Sequence, residues 1–157
     1  MDKNNTYINW KNWDPDLFSK TSKLEEAYFG NILKLVQLKN SPKVLEIGFG
    51  NGSFLGYLNK KNFNFDGLES NQHLVDLAIK NNFSAYQSFD QLKTDKKYDL
   101  IVLFDVIEHI PAADIENFLK QVSFHLEDSG KVFLRFPNGA SPLGLANQHG
   151  DITHFNI

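Results

Sequence analysis

The chain has 157 residues, a length suited to one domain, and its 41% hydrophobic and 13% aromatic content, with 14 Phe, excludes a disordered chain. The net charge is −3 and Arg135 is the only arginine, which argues against a nucleic-acid partner, since phosphate recognition draws on basic patches and arginine forks. There is no Cys for disulfides, thiolate catalysis or Cys-based zinc, and no apolar stretch long enough for a signal peptide or membrane span, so a soluble cytoplasmic protein is expected.

Residues 1–41 are polar with embedded aromatics: Tyr7, Trp10, Trp13, Phe18, Tyr28 and Phe29. A helix is predicted from Lys23 to Leu38 on the spacing of Leu24, Ala27, Tyr28, Ile32, Leu35 and Val36, ending at Asn40-Ser41-Pro42. This segment reads as a helical lid or cap, although helix-core packing is the commoner use of such aromatics. Residues 42–157 form the second unit. In it Val44–Ile47 is a short buried strand that runs into glycines, and residues 52–60 suit a helix. Phe63–Leu68 alternates like a strand, Asn71–Lys80 is a short helix, and Ser84–Gln87 is a third strand. Tyr98–Phe104 is the clearest buried strand. Ile115, Phe118, Leu119, Val122 and Leu126 then mark an amphipathic helix with Gly130 as its stop, before a fifth strand over Lys131–Phe136. His73 and His125 fall on helices and are expected at the surface. The alternation predicts an α/β, Rossmann-like, doubly wound parallel sheet.

The sharpest motif is Glu46-Ile47-Gly48-Phe49-Gly50-Asn51-Gly52. A strand that turns directly into a helix needs glycine where φ is positive or where a ligand presses on the backbone. Such a loop faces the ligand crevice of doubly wound sheets. A dinucleotide fingerprint, G-x-G-x-x-G, would place its third glycine at 53, which is Ser53. Glu46 would also be a poor neighbour for a pyrophosphate, but it suits a ligand with an ammonium group. S-adenosylmethionine (SAM) carries an ammonium and a sulfonium and no phosphate. Glu69, after the second strand, is placed to accept both hydroxyls of a ribose, in NAD and SAM alike.

With these motifs and Tyr98-Asp99-Leu100-Ile101-Val102-Leu103-Phe104-Asp105-Val106-Ile107-Glu108-His109-Ile110, the chain resembles the class I SAM-dependent methyltransferases over residues 43–137. Within them it is most similar to the small-molecule subgroup of quinone-biosynthesis and sugar or surface-glycan enzymes. The resemblance implies strand order 3-2-1-4-5. It also implies that Gly48, Phe49, Gly50, Asn51 and Gly52 line the methionyl and ribose portion of SAM and that Glu46 fixes its amino group. Glu69 would bind the ribose, Ser70 would neighbour the adenine with Ser88 and Phe89, and Phe104, Asp105 and Val106 would pass the sulfonium. The family's frequent Gly-Asp is absent at 88–89, which leaves Asp90 without a role. Phe104-Asp105-Val106-Ile107 departs from the Asn/Asp-Pro-Pro-aromatic motif of enzymes that methylate nucleobase amines.

His109 reads as a base, a substrate-orienting group or a loop-positioning residue. His149-Gly150-Asp151-Ile152-Thr153-His154-Phe155 is similar to an Asp-x-Thr-His segment of the glycan-associated subgroup. Its Asp151, His149 or His154 would take an acceptor hydroxyl proton. Two other readings stay open, a metal site, although the spacing matches no strong zinc pattern, and a loop held by turn bonds. The expected site therefore has His109, Asp151 and His154 as catalytic groups and no metal. The resemblance implies a final antiparallel hairpin that the sequence lacks, so the chain is expected to be truncated or minimal. An open edge on the fifth strand would then invite a homodimer. The expected activity is methyl transfer to a small-molecule acceptor, a sugar or glycan hydroxyl. A non-catalytic SAM-binding module and an NAD-dependent oxidoreductase domain are the alternatives.

Overall fold

The computed structural model describes residues 11, 13–142 and 154–155. Its elements are α1 (Lys23–Val36), β1 (Lys43–Ile47), α2 (Ser53–Lys60), β2 (Asn64–Leu68), α3 (Gln72–Lys80), β3 (Ala85–Tyr86), β4 (Tyr98–Phe104), α4 (Ala112–Phe124) and β5 (Leu126–Arg135). The strands form one parallel sheet in the expected order β3-β2-β1-β4-β5. Among the described residues no helix is long and apolar enough to cross a membrane.

Side chains alternate across the two central strands, and both faces are apolar because helices cover both. Val44, Leu100 and Val102 meet Phe29 of α1 and Phe54, Tyr57 and Leu58 of α2. Leu45, Ile47, Ile101 and Leu103 meet Val122 of α4. Parity assigns Glu46 to the first of these faces, opposite Val102, where a hydrophobe would otherwise sit. The order reverses between β1 and β4, so the loops after these strands splay apart and open a crevice at their carboxyl ends.

α1 begins with a capping box in which Ser22 and Glu25 bond reciprocally. It buries Phe29, Ile32 and Val36, while Leu24 and Leu35 of the predicted face are exposed. Upstream, the Ser19 N–H donates to the Asn51 carbonyl at 2.9 Å, and the Ser19 carbonyl rests against Gly56 of α2 so closely that a Cβ there would overlap it. The segment bearing Trp13 and Phe18 is thus laid over the loop after β1.

Two expectations are corrected. α4 ends at Phe124, not at Gly130, and β5 begins at Leu126. Leu126 fits the helical period, but it pairs with Tyr98, and the register then shifts so that Leu100 faces Lys131. Residues 127–130 form the irregularity, and Gly130 packs against Leu126 within it. His125 is not a surface residue: it is buried at the end of α4, its Nδ1 lies 3.0 Å from the Lys96 carbonyl, and its ring stacks on Phe89. His73 is exposed as expected.

A second polar group is buried under β2. Asp66 accepts hydrogen bonds from Lys96 Nζ, the Tyr98 hydroxyl and Ser84, so its charge is fully matched. Burial, followed by the Asp66 bond, pushes the Tyr98 hydroxyl pKa upward and keeps it a donor. For the backbone contact at position 56, Gly56→Ala gains roughly 1 kcal/mol of helix propensity but must displace the Ser19 carbonyl. A net loss of about 1–3 kcal/mol is expected in urea unfolding. An unchanged or raised midpoint would contradict the contact.

Candidate cofactor and acceptor site

At the crevice the chain encloses an open pocket of about 520 Å³, a size suited to a nucleoside-containing ligand. The loop after β1 forms its floor. Gly48 has φ +72°, and a Cβ there would lie 2.5 Å from Val106 of the loop after β4. Gly50 has φ +52°, with the Trp13 ring where a side chain would go. Glycine is therefore required both for backbone conformation and for the approach of two separate segments.

Two carboxyl groups stand in the wall. Glu69 is buried and accepts from Gly50 N–H at 3.1 Å, Asn71 N–H at 3.0 Å and Ser70 Oγ at 3.2 Å. Glu46 is 3% exposed, and its Oε2 has no hydrogen-bond partner among the described residues. Burial, reinforced by the Glu69 charge, pushes the Glu46 carboxyl well above the usual range, against a bond from the Leu55 backbone at the start of α2. A carboxyl held so keeps one oxygen without a donor. The donor set fits a cationic, hydroxyl-bearing nucleoside and opposes a pyrophosphate.

Beyond the glycine loop, β4 ends at Phe104, and Asp105 takes φ +54°, a left-handed conformation that Asp tolerates better than most residues. The turn is held by Asp105 N–H to the Arg135 carbonyl at 2.8 Å and by an ion pair between the two side chains. The guanidinium of Arg135 lies 4.9 Å from the Phe104 ring centre and 5.6 Å from that of Tyr28, and it donates to the Tyr28 hydroxyl at 3.3 Å. This stack closes one side of the pocket.

Of the residues expected from sequence, the pocket brings together Glu46, Gly48, Phe49, Gly50, Asn51, Glu69, Ser70, Phe104, Asp105, Val106 and His109. Gly52 caps α2 against Phe18, outside the pocket wall. Ser88 and Phe89 also stand apart from it, and the Phe89 ring packs on Phe118 and His125. His154 lies 4.7 Å from His109, ring centre to ring centre. Asp151 and His149, with Tyr7 and Trp10, lie outside the described residues. Sequence reasoning placed Trp13 and Tyr28 in a candidate cap and assigned no site role to Ser53, Asn71 or Arg135, all in the wall. A lone arginine at a strand end was a usable signal for one of them.

The sequence pattern of the family described as methyltransferase domain matches residues 21–155. A ubiquinone biosynthesis O-methyltransferase of Rickettsia prowazekii is 30% identical over 95 residues, covering 56% of this chain and 37% of that protein. A probable (S)-tetrahydroprotoberberine N-methyltransferase 2 of Papaver bracteatum is 26% identical over 126 residues, covering 74% of this chain and 35% of its own length. The chain therefore spans little more than a third of these relatives. In fold, a SAM-dependent methyltransferase from Archaeoglobus fulgidus superposes with TM-score 0.73 at 22% identity, covering 89% of this chain and 64% of that one.

The Glu46 environment sets a pH dependence. Its folded pKa is raised, so its contribution to stability is complete below the unfolded value of 4.5 and is lost as pH rises through the folded value. Glu46→Gln keeps the shape and cannot ionise. Without ligand, its melting temperature is expected to gain on the parent between about pH 5 and about pH 8, by several degrees at the upper end. An equal difference at both pH values would show that Glu46 does not ionise at a cost.

Proposed function

Because the chain belongs to the methyltransferase domain family and has the class I, SAM-dependent fold, we propose that it transfers a methyl group from SAM to a small-molecule acceptor, a hydroxyl of a sugar or glycan precursor. The observation that carries this reading is the pocket itself: a glycine floor between two buried carboxyls, one of them with an oxygen that has no donor among the described residues. When bound, SAM supplies an activated methyl group on a sulfonium. The protein's contribution is to align donor and acceptor and to exclude water.

Glu46 takes the ammonium and Glu69 the ribose hydroxyls. For the second role Glu69 exchanges or shares the Gly50 and Asn71 N–H bonds it now accepts. Residues 1–41 act as a cap, supported by Trp13 and Phe18 against the glycine loop and by Tyr28 in the wall. His109 and His154 form the acceptor side, where they bind and orient a hydroxyl and assist loss of its proton, a role that the sequence motif extends to Asp151. The relatives named above are a ubiquinone biosynthesis O-methyltransferase and a probable (S)-tetrahydroprotoberberine N-methyltransferase, which supports a small acceptor. The Asp-x-Thr-His segment favours a hydroxyl-bearing glycan acceptor for this chain.

Calorimetry with S-adenosylhomocysteine tests the cofactor half, and no binding at high micromolar ligand would count against it. Glu69→Ala is expected to weaken that binding by about tenfold or more, since it removes a charge-assisted bond. Turnover of labelled SAM with a panel of glycan precursors tests the acceptor half. There His154→Ala should lower turnover more than it lowers cofactor affinity. Binding without turnover on any acceptor would leave a SAM-binding module.

A further inference from the structure

Glu108 is wholly buried, and neither of its carboxylate oxygens has a hydrogen-bond partner among the described residues. A carboxylate so placed costs several kcal/mol unless it is neutral, paired or bound to a cation. The contrast with Asp66, matched by a lysine and two hydroxyls, shows that this chain does satisfy buried carboxylates when they are structural.

The surroundings of Glu108 are imidazoles. It lies in the turn Ile107–His109, whose last residue is in the pocket wall. The Phe155 N–H donates to the Glu108 carbonyl at 2.7 Å, which pins the C-terminal segment there and sets His154 beside the turn. The rings of His109 and His154 are 4.7 Å apart between centres with planes inclined at 56°, so they do not stack face to face. One ligand atom from each of Glu108, His109 and His154 lies within 4.8 Å of the other two.

We propose that Glu108, His109 and His154 form a three-ligand site for a divalent transition-metal ion, with the remaining position turned to the acceptor side of the pocket. Two imidazoles and one carboxylate suit zinc, and also manganese, iron or cobalt. Tetrahedral zinc holds its ligand atoms roughly 3.3 Å apart, so side-chain rotation of modest size closes the present cluster. No local sequence pattern announces the site, because His109 and His154 lie 45 positions apart and the fold alone joins them. The ion takes an acceptor hydroxyl as a further ligand and lowers its pKa, so that its proton passes to solvent water, and the two imidazoles assist that loss as ligands of the ion and not as bases. That role rests on the methyl-transfer reading above. Metal binding itself does not.

Zn2+ titration of the full chain by calorimetry, with the visible spectrum of the Co2+ form, reads the site directly. One ion per chain is expected, with Co2+ bands of a low-coordinate N/O site. Glu108→Gln, which keeps the side chain's volume, and His154→Ala should each weaken Zn2+ binding by about tenfold or more, with circular dichroism confirming that both variants are folded. Absence of binding at high micromolar Zn2+, or binding equal in the parent and both variants, overturns the proposal. Site-specific binding without methyl transfer upholds the metal site and removes its acceptor role. Methyl transfer by a chain that binds no Zn2+ overturns the metal and leaves the transfer reading standing.

Discussion

The bond from the Gly50 N–H to the Glu69 carboxylate joins the loop after β1 to the end of β2 along one wall of the crevice. It works because Gly50 is left-handed and exposes its N–H toward the pocket, and because Glu69 is also held by the Asn71 N–H and Ser70. A carboxylate that accepts from several donors is stable when buried, so it can hold a loop in shape without a ligand. The wall positions of Phe49, Asn51 and Ser53 follow from that loop, and Trp13 and Phe18 lie against it. The crevice is preorganised by polar contacts within the backbone's own reach.

Four buried carboxyl groups divide the molecule by purpose, and Glu69, held by Gly50, Asn71 and Ser70, is the first of them. Asp66 is saturated by Lys96, Tyr98 and Ser84 and ties β2 to β4 beneath the sheet. Glu46 and Glu108 retain oxygens with no donor, and burial drives both pKa values up. Glu46 lies near the carboxyl end of β1 and Glu108 in the turn after β4, at the end of the sheet where the crevice opens. Two buried acids are satisfied, and the two left incomplete both stand at that end, where the proposed cationic ligands would meet them.

The glycine turn and β4 were legible because each depends on local period or on a residue type that backbone geometry demands, and the strand order followed from the family resemblance that these motifs carry. Leu100-Ile101-Val102-Leu103 reads as a two-sided buried strand, and that is how both faces are filled. What was illegible depends on distant partners. Leu126 satisfies the period of α4 and the pairing of β5, and contact with Tyr98 decides between them. His125 looks like a helix-end surface residue until the Lys96 carbonyl and the Phe89 ring are brought to it. Arg135 belongs to the site because Asp105 turns back against β5 and Tyr28 arrives from a helix more than a hundred positions earlier in the chain. Leu24 and Leu35 match a helical period as well as Ile32 does, yet nothing covers that side of α1 among the described residues.

The raised pKa at position 46 also changes how ligand binding would be measured. An ammonium group seated beside the carboxyl, as proposed above, would favour its charged form, so that any proton the acid carries in the free protein is expelled into solvent. The heat of binding then includes the ionisation enthalpy of whichever buffer captures that proton. Two laboratories using phosphate and Tris would record different enthalpies for the same equilibrium, and the slope of heat against buffer enthalpy counts the protons released.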